Sequence, residues 1–162
     1  MSSAACSQDY SFGPHTIHAS EVFVESTLSF AFVNLKPVVP GHVLISPKRV
    51  VPRFAALSAD EVADLWVLAQ RVGAAVEPHF GATSLTLTIQ DGEQAGQSVP
   101  HVHVHCLPRR AGDFEKNDEV YDAIDEHTRM HRPGERLDLD AERRVRTRAE
   151  MAAEAGALRK LF

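Results

Sequence analysis

Apolar and polar positions follow two different periods along this chain, and the period changes at prolines and glycines. Residues 1–9 are small and polar and predict a flexible tail. Val22-Phe23-Val24, Leu28-Ser29-Phe30-Ala31-Phe32-Val33 and His42-Val43-Leu44-Ile45 are rich in β-branched and aromatic residues and read as strands. Pro37, Pro40 and Gly41 separate the second run from the third, and Pro47 ends the third. Spacing this tight predicts antiparallel neighbours, because parallel strands need a long crossover.

A helical period follows. Ser58-Ala59-Asp60-Glu61 has the form of a capping box, with Leu57 placed to staple onto Val62. Val62, Leu65, Trp66, Ala69, Val72, Gly73 and Val76 then recur along one face and predict a core-facing stripe, closed by Pro78 and Gly81. From Thr83 to Gln90 the period returns to two, with Leu85, Leu87 and Ile89 opposite Thr86, Thr88 and Gln90. Asp91 to Ser98 reads as a loop, and Val99 to Leu107 as a strand pairing antiparallel with its predecessor. Residues 115–138 are polar and predict a mobile stretch. Val145, Met151, Ala152, Ala155, Leu158 and Phe162 can line a last helix, with Arg143, Arg144, Arg146 and Arg148 as its solvated face. The expectation is α+β, a single domain over residues 10–162 with an antiparallel sheet, one long central helix and a C-terminal helix.

The chain's 162 residues can bury a real core as one domain. A formal charge of −5 argues against nucleic acid as a partner, since duplex binding rests on Lys and Arg against phosphates, but leaves single nucleotides open. No apolar run approaches the ~20 residues that span a bilayer, so no membrane is expected. The first basic residue is Lys36, which predicts neither a secretion signal nor a transit peptide. Cys6 reads as incidental and Cys106 as a small apolar residue pointing away from its histidine neighbours, not as parts of a disulfide framework. A reducing compartment, cytoplasmic or also nuclear, fits this usage.

The chemistry concentrates in Val99-Pro100-His101-Val102-His103-Val104-His105-Cys106-Leu107. On a strand, His101, His103 and His105 share one face and the valines the other, so the imidazoles face a cleft or solvent. Gln90 and His42 can join that side. One reading is a metal site, since imidazole is the commonest metal ligand; three residues on one flat strand converge poorly on one ion, however. The other reading is nucleophilic. Imidazole, with a pKa of ~6.5, is largely neutral at pH 7 and can attack phosphorus. The labile phosphorus–nitrogen bond then divides one hard displacement into two easier ones. His103 is the natural attacker, with His101 and His105 to orient it and to bind oxygens. Gly96, Gln97, Ser98 and Val99 can offer an anion cradle.

These residues resemble the histidine-triad superfamily, whose signature is His-x-His-x-His with apolar residues between. The stretches LSFAFVNLKPVVPGHVLISPKR (Leu28 to Arg49), DEVADLW (Asp60 to Trp66), TSLT (from Thr83), QDGEQAGQSVPHVHVHCLPRRAGDF (Gln90 to Phe114) and EMAAEAGALR (Glu150 to Arg159) are similar to its fragile-histidine-triad (Fhit) branch, the dinucleoside-triphosphate hydrolases. The resemblance implies a sheet continued across a homodimer. It implies hydrolysis of diadenosine triphosphate to AMP and ADP through a covalent adenylyl-histidine. It makes His103 the nucleophile, sets His105 and Gln90 on the scissile phosphate, and gives His101 and His42 supporting roles. It places Asn34 and His15 at the ribose and Gly96, Gln97, Ser98 and Val99 along the phosphates. It also makes Tyr121, in an acidic context, a candidate tyrosine-kinase target. His18, His79, His127 and His131 take no role. No tightly bound cofactor is expected, although Mg²⁺ or Mn²⁺ can ride on the substrate phosphates. The departures from the branch are a longer N-terminus and a poorly matched stretch over 126–148. An adenylate phosphoramidase of the same superfamily, and a nucleotide-binding signalling module whose substrate-bound state is the output, are the alternatives.

Overall fold

A computed structural model describes residues 8–129 and 145–162, which form two sheets and three α-helices. The short strands β1 (Tyr10–Phe12) and β2 (His15–Ile17) make an antiparallel hairpin that the periodicity did not reveal. Three residues per strand are too few to show an alternation, and the turn relies on Gly13 at φ 54°. After a 3₁₀ turn at Ala19–Glu21 come β3 (Val22–Glu25), β4 (Ser29–Val33) and β5 (Val43–Pro47), then α1 (Ala59–His79), β6 (Ser84–Thr88) and β7 (Val104–Arg109). The main sheet runs β3-β4-β5-β7-β6, and every neighbouring pair is antiparallel; spacing predicted this for β3, β4 and β5 and for β6 with β7, while the fold alone brings β5 beside β7.

Each central strand is buried along its whole length because both faces are covered. Ala31, Val33, Val43, Ile45, Val104 and Cys106 pack on one face with α1 and with Met151, Ala155 and Leu158 of α3 (Arg148–Arg159). Phe30, Phe32 and Leu44 point the other way, to Tyr10 and Phe12 of the hairpin. A register shift between Val22 and Val24 breaks strict alternation in β3 and puts both Phe23 and Val24 on the α1 face.

The Ser58–Glu61 capping box forms as expected. The stripe of α1, however, is rotated from its predicted position. Leu65, Leu68, Ala69, Val72, Gly73 and Val76 are buried, while Trp66 is 38% exposed. Trp66 stands two turns before Gly73 on the line of the helix that faces Leu85 of the edge strand β6, and an edge strand covers only part of that line.

Two other expectations change. Within the polar stretch 115–138, residues Glu119–Arg129 form helix α2, because Val120, Ala123 and Ile124 supply a small buried apolar stripe, of which Val120 and Ile124 pack with Val39 and Leu107. Residues 130–138 and 1–7 lie outside the described residues, as do Cys6, His131, Arg143 and Arg144. The last strand begins at Val104 rather than Val99. Residues 99–103 instead loop across the sheet end, held by hydrogen bonds from His101 N to Val99 O and from Val102 N to Val51 O.

Candidate active site

The alternation of the triad outlasts the loss of strand geometry. Val102, Val104 and Cys106 sit in the α1-side core, and burial there pushes the Cys106 thiol up to about 12. His101, His103 and His105 fall on the opposite face but are nearly inaccessible, not merely cleft-facing. The hairpin covers them: the Phe12 ring lies 5.6 Å from His101 and 5.1 Å from His103.

Carbonyl and amide partners settle which ring nitrogens carry hydrogen. His103 Nδ1 stands 2.7 Å from the carbonyl oxygen of His101, which can only accept, so Nδ1 donates and Nε2 keeps a lone pair. His101 donates from Nε2 to Pro47 O at 2.8 Å and accepts at Nδ1 from Gly13 N at 3.1 Å. His42 accepts at Nδ1 from Val38 N, which puts its hydrogen on Nε2, directed at Nδ1 of His105 at 3.0 Å. The hydrogen of neutral His105 is therefore on Nε2. Burial lowers the affinity of His101 for protons and takes His103 down to about 4, opposed by the carbonyl of His101. A neutral imidazole with an available Nε2 is thus the resting state of His103. With both nitrogens of His101 committed, the three imidazoles do not converge as a metal site would require. Among the described residues no group of three or more His, Cys, Asp or Glu is placed to hold an ion.

His103 and His105 open onto a cavity of about 370 Å³. Of the residues picked out in the sequence, His15, Asn34, Ser98 and Val99 line it as well. His42 and His101 stand behind, in contact with His105 and His103. Asn34 is buried, its Oδ1 accepting from Lys36 N and its Nδ2 lying 3.3 Å from His42 Nε2. Gln90, Gly96 and Gln97 do not line the main cavity. Gln97 fastens the loop, accepting from Gly92 N at 2.8 Å and donating to Pro52 O at 2.9 Å. Gln90 donates from Nε2 to Asp125 of α2, and both atoms press on Gly96, where a Cβ would come within 2.7 Å of the Gln90 amide. Tyr121, on the same helix, is 50% exposed beside a smaller cavity lined by Gln90 and Asp125.

Arg146 corrects the expectation of a solvated arginine face. It donates from Nε to the Asn34 carbonyl at 3.0 Å, pairs with Glu154, and lines the cavity along with Arg148. Sequence reasoning also passed over Phe12, Glu21, His18 and Asp125. Phe12 and Asp125 meet partners far along the chain, whereas His18 and Glu21 contact each other three residues apart in a turn that only the fold sets at the cavity.

The profile of the HIT domain matches residues 16–112, more than half of the chain. The chain belongs to the histidine-triad (HIT) family. Among relatives, this HIT protein is 56% identical over 160 residues to the bifunctional bis(5'-adenosyl)-triphosphatase/adenylylsulfatase FHIT of Arabidopsis thaliana, covering 99% of this chain and 87% of that protein. It is 48% identical over 151 residues to the bis(5'-adenosyl)-triphosphatase of Dictyostelium discoideum, covering 93% and 91%. Its fold is similar to the crystal structure of the C. elegans NitFhit protein, with TM-score 0.76 and 42% identity over 96% of this chain and 30% of that one. The Plasmodium falciparum diadenosine triphosphate hydrolase in complex with Cyclomarin A also superposes at TM-score 0.76, with 27% identity over 99% and 88%. These likenesses place this HIT protein in the Fhit branch, as its loop and triad stretches implied.

Proposed function

We propose that this protein hydrolyses diadenosine triphosphate to AMP and ADP through an adenylyl group carried on His103. The observation that carries the proposal is the hydrogen bond from His103 Nδ1 to His101 O, which leaves the Nε2 lone pair at the cavity. Nε2 attacks the phosphorus of one adenylyl group; a P–N bond forms and the P–O bond to ADP breaks. The ring becomes cationic, and the His101 carbonyl opposite its Nδ1–H stabilises that charge. The Nε2–H of His105 is the donor for a phosphate oxygen. Water then attacks the same phosphorus and loses a proton, the P–N bond breaks, and AMP leaves with His103 neutral again. The name of the Arabidopsis relative and the similarity along both chains support the substrate assignment.

Hydrolysis in ¹⁸O-labelled water tests the site of attack. Label should appear in AMP and not in ADP, and rapid quenching should trap a nucleotide acid-labile on His103. Label in ADP would place attack at the other side of the cleaved bond and remove His103 as nucleophile. The proposal includes Mg²⁺ or Mn²⁺ carried on substrate phosphates, and a homodimer joined at the open edge of the sheet. Support for the dimer lies in β6, an edge strand on which Leu87 is exposed, and in exposed Trp66 and Val67 on α1.

A further inference from the structure

The active-site cavity is longer than the phosphate chemistry requires, and it ends on a carboxylate. A single cross-strand row marks its course. His105 pairs with Leu44, Leu44 with Phe32, and Phe32 with Val22, the residue that follows Glu21. Three strand spacings carry the row about 14 Å from the triad, a distance on the scale of an extended purine nucleoside monophosphate. Leu44, Phe32 and Phe12 form an apolar floor suited to a sugar and a flat base. At the far end the lining residues are His18 and Glu21 from the 3₁₀ turn and Arg148 and Met151 from the start of α3.

Glu21 is only 6% exposed, which is unusual for a carboxylate. Among the described residues its hydrogen bond comes from His18 N at 3.3 Å to Oε2, so most of its acceptor capacity remains unused. The backbone on either side is held rigidly. Arg159 donates to the carbonyls of Ala19 at 2.7 Å, Ser20 at 2.9 Å and Val22. A buried acceptor with spare lone pairs, set at fixed distance from the nucleophile, is built to meet a donor.

We infer that Glu21 reads the base, accepting a hydrogen bond from the exocyclic amino group of adenine when the adenylyl phosphorus lies at His103. The inference rests on the proposed adenylyl transfer only for the placement of the phosphate. A carboxylate accepts and never donates, so it favours the N6 amino group of adenine and repels the O6 carbonyl that hypoxanthine presents at the same position. Glu21 is therefore a specificity-determining residue, and its contribution appears in nucleotide binding as well as in turnover. Arg146 and Glu154, which pair with each other, serve to hold the Asn34 wall of the same chamber.

The test is titration calorimetry of AMP and IMP against the full-length protein and its Glu21→Gln variant, alongside kcat/KM for diadenosine and diinosine triphosphates. Glutamine keeps the acceptor for His18 N, so the turn stays intact, while its amide can turn a donor toward O6. AMP should bind on the order of 10–100-fold more tightly than IMP to the native protein, and the ratio should fall to about threefold or less in Glu21→Gln. Glu21→Val, which removes all polar contact while keeping an apolar wall, should erase the preference too. An unchanged ratio in both variants overturns the inference, as does equal binding of AMP and IMP, or tighter binding of GMP than AMP, to the native protein. Preferential AMP binding without turnover of either dinucleotide would sustain Glu21 as the reader and overturn the hydrolase proposal instead. Failure of every nucleotide to bind would end both.

Discussion

At the scale of single residues, the proposed reaction asks two conflicting things of His103. The residue has to be neutral and ready to attack, yet it is buried and loses solvation each time its ring becomes charged. Burial and the His101 carbonyl resolve this by fixing one neutral tautomer in the resting protein. Replacing His103 by Asn should lower kcat by a factor on the order of 10⁴ or more with binding largely retained, as single-turnover and equilibrium titrations would show. A tenfold loss would mean that another group attacks. Gln90→Ala should cost less, because that amide meets Asp125 rather than the main cavity. The same burial couples the site to stability. The unfolded chain takes up a proton on His103 near pH 6.5, whereas the native site resists until about 4. The contribution of His103 to native stability should therefore be flat above pH 7, and on acidification stability should fall by roughly 2 kcal/mol from this residue between pH 7 and 5. His101 adds to the fall in the same direction. Urea unfolding at the two pH values measures it, and in His103→Asn the fall should be smaller.

Elements differ in how far their own sequence determined them. Helix α1 begins where its capping box said, because Ser58 and Glu61 satisfy each other's backbone within four residues. Ser58→Ala should cost about 1 kcal/mol in thermal or urea unfolding. The side of α1 that is buried was less legible: Trp66 fits the stripe, but only the position of the edge strand leaves it partly bare. Helix α2 was missed altogether, since two or three apolar side chains among acids carry little signal until Val39 and Leu107 meet them. Its consequence for the site is contact with the loop that carries Gly96. Gly96 sits at φ 88°, where a side chain is strained, and a Cβ there would also press on Gln90 and Asp125. Gly96→Ala should destabilise by more than about 1 kcal/mol and weaken nucleotide binding. Adding Asp125→Ala should recover part of the binding loss, as Asp125 is one of the two atoms in the way.

For the whole molecule, the sheet order places a hydrogen-bonding edge at β6, beside β7, the strand that carries His105. If the proposed homodimer forms there, sedimentation at micromolar concentration should give twice the monomer mass, and Leu87→Lys should shift it to the monomer. A native protein that sediments as a monomer would sink the dimer and leave the chemistry at His103 untouched.

By itself the sequence determined the strand runs of the central sheet, the start of α1, the inward valines and the shared face of three alternating histidines. All of these follow from spacings of two to four residues, which local backbone geometry converts directly into a shared face or a cap. The tertiary structure alone decided what surrounds those residues. It brought Phe12 over the imidazoles, Val38 N to His42 and hence the hydrogen of His105 to Nε2, Arg146 to the Asn34 carbonyl, Asp125 to Gln90 and Glu21 to the end of the cavity. Most of these contacts join residues dozens of positions apart. They exist because burial forces each polar atom to find a partner, and the sheet order determines which partners are within reach.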